Sequence, residues 1–334
     1  MNDFWHEMQK PIIALAPMED VTDTVFREII RSVSSPEALH VLFTEFTSTD
    51  GLCSEKGRAK VMDRLVVNSS ERDLNSATNT KLVAQIWGSD PEKFMKSAQL
   101  ISELGHFDGI DINMGCPVKK VIKKQCCSAL INNPALAKEI VLATKAGTHL
   151  PISVKTRIGF NTVITEEWIG HLLDVNPAAI TIHGRTQKMM STGEANWDEI
   201  AKAVRLRDDL KSQTLILGNG DVDSFHKAIE RVTETAVDGV MVGTGVFKNP
   251  WMFNAEISQI SMDMRINLLR KHITLYNSTW GNNGNYNVLK RFFKIYLHGF
   301  DGAAAFREKL MQSKSCEEAL GIIGVLNHQM SKIS

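Results

Sequence analysis

Eight short runs of apolar and β-branched residues recur through the first 245 positions, and each closes on, or runs straight into, Gly, Asn, Asp or another polar residue. They are Ile12–Met18, Val41–Phe46, Leu82–Gly88, Gly109–Gly115, Ile152–Gly159, Ala179–Arg185, Thr214–Asp221 and Gly239–Gly245. Between them lie segments long enough for a helix. Three carry clear start signals: Asp90-Pro91 ahead of Glu92–Leu104, Asn133-Pro134 ahead of Ala135–Ala146, and Asp223-Ser224 ahead of Phe225–Val232. Nearly continuous apolar strands alternating with helices require a parallel sheet covered by helices, and eight such units predict a closed TIM (β/α)8 barrel. An open nucleotide-binding sheet would want GxGxxG after its first strand, and that position reads APMEDVTD.

A barrel of this kind uses about 250 residues, and the chain has 334. After Trp251 the strand pattern stops. The remainder, from Ile257 on, reads as helices broken by one polar loop, Gly281-Asn282-Asn283-Gly284-Asn285. The expected division is a barrel over residues 1–255 and a small helical unit over 256–334. The whole chain carries 38 Lys and Arg against 38 Asp and Glu, which excludes a globally basic coat. From Ser261 onward, however, ten cations face five anions, so the helical end is the positive end. Such a surplus fits either a solvated helical face or a surface for an acidic partner.

The five cysteines are odd in number and show no CxxC spacing, which argues against a disulfide framework or a local zinc site. No apolar run approaches the roughly 18 residues of a membrane span. A cytoplasmic protein without membrane or metal is expected.

In a barrel, chemistry sits at the C-terminal ends of the strands. Asn219-Gly220-Asp221 and Gly243-Thr244-Gly245 end strands seven and eight, the usual phosphate site of the fold, where glycine lets backbone amides approach an anion. That pairing points to a phosphorylated substrate or a cofactor such as FMN. Lys155 closes strand five and could stabilise negative charge on a reduced flavin ring. Gln85 could hydrogen-bond the same ring. His183 reads equally as a donor or as a packed core histidine. Cys116, in Asn113-Met114-Gly115-Cys116-Pro117, follows strand four on a turn of Gly and Pro that would present its thiol at the barrel mouth as a general acid.

Taken in order, APMEDVTD, FTEF, AQIWG, DINMGCPVKKV, SVKTRIG, ITIHGRT, STGEANWDEI, GNGD and VGTGVFKNPW resemble the tRNA-dihydrouridine synthases of bacterial type, as does KRFFKIYLHGFDGAAAFREKL in the helical end. The resemblance implies a barrel that holds FMN at its mouth and, with the helical unit, cradles a tRNA. It implies NADPH-driven reduction of the C5=C6 bond of chosen uridines. Cys116 would give the proton to C5 while reduced flavin delivers hydride to C6. Pro17, Met18, Glu19, Gln85, Lys155 and His183 would hold the flavin, with Asn219, Gly220, Asp221, Gly243 and Thr244 at its phosphate. Asn113 and Arg157 would face the uracil, and Lys290, Arg291, Lys294 and Arg307 would hold RNA phosphates.

Two departures from the family pattern stand out. Gln125 and Cys127 occupy positions where glycines are expected, and Thr244 stands where an arginine is common. Two other readings share parts of the pattern: an FMN barrel acting on a free small molecule, like dihydroorotate dehydrogenase, and an RNA-binding paralogue with impaired catalysis.

Overall fold

The computed structural model describes residues 3–257, 259–281, 284–300 and 302–330, with side-chain surroundings to residue 325. Nine strands form one sheet: β1 Ile12–Leu15, β2 Val41–Phe43, β3 Thr47–Ser48, β4 Lys81–Trp87, β5 Gly109–Asn113, β6 Ile152–Arg157, β7 Ala179–His183, β8 Leu215–Asn219 and β9 Gly239–Val242. Every pairing is parallel, and β2 pairs with both β1 and β4, so eight strands close on themselves while β3 adds only to the end of β4. This is the expected (β/α)8 barrel.

Most strands stop short of the runs from which they were predicted, for local reasons. After Leu15 the Ala16 amide still reaches Val242 O at 2.8 Å, but the Met18 amide turns to the Thr22 hydroxyl at 3.0 Å. After Phe43 the Thr44 hydroxyl, rather than a carbonyl, accepts from the Gln85 amide at 3.0 Å. That substitution releases Glu45 and Phe46 from the ladder. The polar ends of the runs therefore leave the sheet and become the barrel's mouth.

Side chains alternate across the wall. Ile13 and Leu15 point outward into the helical layer, whereas Ile12, Ala14, Val41, Phe43, Val83, Ala179, Leu215 and Leu217 fill the lower interior. A four-residue helix, Phe4–Glu7, closes the bottom, with Asp3 accepting from the Trp5 amide at 3.2 Å. The Phe4 and Trp5 rings stack at 4.9 Å and Trp5 is fully buried. Above this apolar plug the interior becomes polar, with Asp111, Gln85 and Ser153 buried at its centre.

The three capped helices form as expected, at Pro91–Leu104, Pro134–Ala146 and Phe225–Thr235, with Asp90, Asn133 and Ser224 accepting from their first-turn amides. Beyond the barrel come Met262–Trp280, Asn287–Lys290, Phe293–Tyr296, Ala303–Gln312 and Cys316–Met330. Within the predicted polar loop, Asn282 and Asn283 lie outside the described residues, as do 331–334 at the end of the expected helical unit. The helix Thr24–Arg31 is buried along its whole length because it is sandwiched between the barrel and these later helices. Phe26 stacks on Phe292 at 5.2 Å, Trp280 Nε1 donates to Asp23 at 2.9 Å, and Asn68 Nδ2 donates to Thr279 at 2.8 Å. Among the described residues, no helix is long and apolar enough to cross a membrane.

Candidate active site

The ends of β1, β6, β7, β8 and β9 enclose a cavity of about 390 Å³ at the mouth of the barrel. Its wall brings together Pro17, Met18, Lys155, His183, Asn219, Gly220, Asp221, Gly243 and Thr244, nine residues that sequence reasoning had assembled from distant parts of the chain. Gly220 sits at φ +123°, and a Cβ there would lie 2.6 Å from the Ala195 Cβ and 3.0 Å from His183 Cδ2. Only glycine fits that turn. At Gly245 a Cβ would meet the Val222 carbonyl oxygen at 2.1 Å, so the short turn Thr244–Phe247 nests directly against the β8 loop.

The charges in this cavity are organised. Lys155 Nζ donates to Asn219 Oδ1 at 3.2 Å, and Asn219 is oriented by its own Nδ2 bond to Met241 O at 2.8 Å. Burial, reinforced by Arg157, pulls the Lys155 ammonium down to about 8, so it remains mostly charged at neutral pH. Arg185 grips both Asp221 oxygens at 2.6 and 2.7 Å, and the Ala195 amide adds a bond of 2.7 Å. Burial works to raise the Asp221 carboxyl, but these donors win and hold it below its ordinary value. Burial and the cations Lys155, Arg157 and Arg185 push His183 down to about 2, so its ring is neutral. Arg185 Nη1 donates to His183 Nε2 at 3.1 Å, which assigns the ring proton to Nδ1.

Cys116 stands on the neighbouring loop after β5. Asn113 Oδ1 accepts from the Gly115 amide at 3.1 Å and the Cys116 amide at 2.9 Å, curling the chain into a tight turn. Arg157 Nε clamps Gly115 O at 2.6 Å, and Ser128 Oγ clamps Cys116 O at 2.8 Å. The Cys116 thiol is half-buried, while Cys127 is buried beside it. The neighbouring Cys127 thiol, helped by the Val118 amide and the Arg157 charge, outweighs burial and draws the Cys116 thiol down to about 7. Cys127 moves the opposite way, far above its ordinary value, because it is the donor in that pair and is itself buried. Gln125 and Cys127, which replace expected glycines, both adopt left-handed backbone at φ +59° and +57°. The loop keeps the glycine conformation without the glycines.

The other predicted residues fall elsewhere. Gln85 is fully buried beneath the mouth, donating to Asp111 at 2.6 Å and accepting from Asn113 Nδ2 at 2.8 Å. Besides the Gly115 carbonyl, Arg157 holds those of Thr186 and Met190, at 3.0 and 2.8 Å. Glu19 lies outside the cavity wall, paired with Arg64 at 2.5 Å. Glu45 is buried nearby, and that burial together with Asp23 and Glu19 pushes its carboxyl up to about 7. Arg291 and Lys294 line a separate cleft of about 610 Å³ with Val21, Phe247, Phe292 and Ile295, and Lys248 borders both this cleft and the mouth cavity. Lys290 sits over the Tyr286 ring at 5.6 Å, and Arg307 bonds the Leu297 carbonyl; neither lines that cleft.

Several residues escaped assignment. Arg185 stands among the polar strand ends without an assigned role, and the sequence marks Cys127 as a packing residue and a missing glycine rather than as a partner of Cys116. Lys248 gave no signal, because a single lysine before Asn-Pro does not show that it will sit beside Gly243, Thr244 and Gly245 in the cavity wall.

Comparison with known proteins agrees with this geometry. A model of the dihydrouridine synthase (Dus) family matches residues 14–331. A probable tRNA-dihydrouridine synthase of Staphylococcus aureus (strain COL) is 39% identical over 333 residues, covering 99% of this chain and 98% of that protein. The probable tRNA-dihydrouridine synthase 2 of Bacillus subtilis (strain 168) is 40% identical over 324 residues, covering 96% of each. Among solved structures, histamine dehydrogenase from Rhizobium sp. 4-9 superposes with a TM-score of 0.54 at 13% identity, over 79% of this chain and 48% of that one. A 2-naphthoyl-CoA reductase gives 0.52 at 10% identity, over 72% of this chain and 49% of that one. At such identities these two structures speak to the fold alone. The two relatives, by contrast, match nearly end to end, and with the family model they settle the kinship: the chain belongs to the dihydrouridine synthase family.

Proposed function

We propose that this protein reduces the C5=C6 bond of uridines in tRNA to dihydrouridine, with FMN as its cofactor and NADPH as the electron source. The observation that carries the reading is Cys116: a half-buried thiol with an acidity of about 7, set on a loop at the same barrel mouth as a cationic, glycine-lined cavity. The donor chemistry of that cavity fits a flavin mononucleotide. Lys155 offers a buried cation beside neutral His183 for the ring, and the turns at Gly220 and Gly243 leave backbone room for a phosphate. A Cβ at Gly243 would meet nothing nearer than the Ala16 Cβ at 3.8 Å, so that wall is open rather than packed.

In this reading Pro17, Met18, Lys155 and His183 serve the ring, and Asn219, Gly220, Asp221, Gly243 and Thr244 serve the phosphate, whereas Gln85, committed to Asp111 and Asn113, and Glu19, paired with Arg64 outside the cavity wall, stand back from it. Asp221 contributes through its backbone, since Arg185 and Ala195 occupy its carboxylate. A reduced flavin held by these residues would supply the hydride that C6 receives. Cys116 Sγ holds the proton that C5 receives, and Asn113 and Arg157 keep its loop facing the uracil. Residues 1–255 form the catalytic unit and residues 256–334 the RNA-binding unit. Arg291 and Lys294, exposed at the cleft beside the mouth, contact tRNA phosphates together with Lys290 and Arg307. A uridine must leave its stack to reach a barrel mouth, which favours targets in tRNA loops.

The test is reconstitution with FMN, NADPH and tRNA lacking dihydrouridine, followed by mass-spectrometric mapping of the product. Dihydrouridine at defined positions supports the assignment, as does its loss in Cys116→Ala with flavin still bound. A protein that binds FMN and oxidises NADPH but leaves the tRNA unreduced overturns it.

A further inference from the structure

A single chain of hydrogen bonds runs through the polar interior of the barrel to the loop that carries Cys116. Ser153 Oγ donates to Asp111 Oδ1 at 2.6 Å, and Gln85 Nε2 donates to Asp111 Oδ2 at 2.6 Å. Gln85 Oε1 accepts from Asn113 Nδ2 at 2.8 Å, and Asn113 Oδ1 accepts from the Gly115 and Cys116 amides at 3.1 and 2.9 Å. Asp111, Gln85 and Asn113 are all buried, so water does not substitute freely for any link.

The direction of this chain is imposed by the carboxylate at one end and agrees with the two backbone amides at the other, which can only donate. An ionised carboxylate only accepts hydrogen bonds, whereas a side-chain amide can present either its oxygen or its NH2 group. Asp111 therefore obliges Gln85 to turn its NH2 inward and its oxygen toward Asn113. Gln85 in turn obliges Asn113 to turn its NH2 inward and leave its oxygen to the two backbone amides. Were either amide reversed, two N–H groups of the cysteine loop would face an NH2 group. We propose that Asp111 is a positioning residue for Cys116, fixing the polarity of the Gln85 and Asn113 amides and through them the turn that presents the thiol. The proposal rests on the reading of Cys116 as proton donor for its catalytic meaning, but not for its test.

The test measures alkylation of Cys116 by iodoacetamide, quantified by peptide mass spectrometry in the full-length protein at fixed pH. Asp111→Asn keeps shape and volume but lets all three amides reverse. With the order no longer imposed, arrangements in which Asn113 turns its NH2 to the loop become populated, the two anchoring bonds are lost in them, and the thiol is expected to alkylate about fivefold faster or more. The double variant Asp111→Asn, Gln85→Glu moves the carboxylate one link along. Glu at 85 accepts from both neighbouring amides, Asn113 regains its original orientation, and the alkylation rate returns to within about twofold of the unmodified protein. Ser153→Ala, which leaves the polarity intact, is expected to change the rate by less than about twofold.

Should Asp111→Asn fail to fold, the double variant carries the test alone: wild-type alkylation supports the proposal, and a rate more than about fivefold higher overturns it. An unchanged rate in folded Asp111→Asn, or no recovery in the double variant, also overturns it. Because alkylation requires no turnover, these outcomes are separate from failure of the uridine-reduction reading, which is judged by dihydrouridine formation in Cys116→Ala.

Discussion

Replacing Cys127 with Ala removes the neighbouring thiol that does most to lower the pKa of Cys116. In the native protein the Cys116 thiol titrates at about 7, so a proton donor at this position is half spent at neutral pH and loses activity as pH rises. A hydrogen bond to a charged acceptor contributes about 1.5 kcal/mol, which corresponds to about one pH unit. Losing it raises the thiol to about 8 and moves the alkaline limb of the rate profile with it. At pH 8 the protonated fraction rises from about one in eleven to about one half, so the variant runs about fivefold faster there, while at pH 6 both proteins are almost fully protonated and equal. The assay is single-turnover dihydrouridine formation across pH 6 to 9 with the flavin reduced beforehand, so that only the uridine step is timed. Cys127→Ser retains an O–H donor and leaves the limb near its native position. The lost buried thiol costs ~1 kcal/mol of stability in the Ala variant, too little to unfold the protein. An alkaline limb that does not move in Cys127→Ala would refute both the Cys127 contribution and the view that protonated Cys116 governs the step.

The structure makes four further predictions. Gln125→Gly relieves an exposed residue held at φ +59° and stabilises the protein by ~0.5–1 kcal/mol, read as a raised denaturant midpoint at unchanged slope. Trp5→Ala opens the apolar plug beneath the barrel and costs ~3–5 kcal/mol by the same measurement, and a loss below ~1 kcal/mol would show that the plug contributes little. Lys248→Ala removes an exposed cation from the Thr244 end of the cavity, where the proposed reading seats the FMN phosphate; FMN binding by flavin fluorescence is then expected to weaken about threefold to tenfold, and unchanged binding would leave Lys248 to its pair with Asp223. Neutralising Lys290, Arg291 and Lys294 together weakens tRNA binding and flattens its dependence on salt, whereas an unaltered slope would return them to the solvated face.

The barrel was legible because its strands are nearly continuous apolar runs, a pattern that few other folds impose on a chain. Nine cavity residues were legible for a related reason: the fold itself dictates that the residue where each apolar run turns polar lies at the mouth. What escaped was everything fixed by partners across the sheet. Gln85 read as a free amide at a strand end, yet parity along β4 and register with β5 point it inward against Asp111. Arg157 read as a substrate contact, while the structure directs its guanidinium to the carbonyls of Gly115, Thr186 and Met190. Spacing shows which way each side chain points but not its partner, because that depends on which neighbour across the sheet has an open acceptor.

The two substituted glycines carry the argument one step further. A left-handed backbone at a non-glycine residue costs about 1–2 kcal/mol, so retaining φ +59° and +57° at Gln125 and Cys127 means that the rest of the loop dictates the turn. The anchors responsible are visible: Asn113 and Arg157 hold Gly115 and Cys116 from one side, and Ser128 holds the Cys116 carbonyl from the other. A loop built only from local preference would have relaxed when its glycines were lost. Here the turn is held from the ends of β5 and β6, so an exchange at residue 127 leaves the path of the chain in place and acts instead on the chemistry of its neighbour, by setting beside Cys116 a thiol that glycine cannot provide.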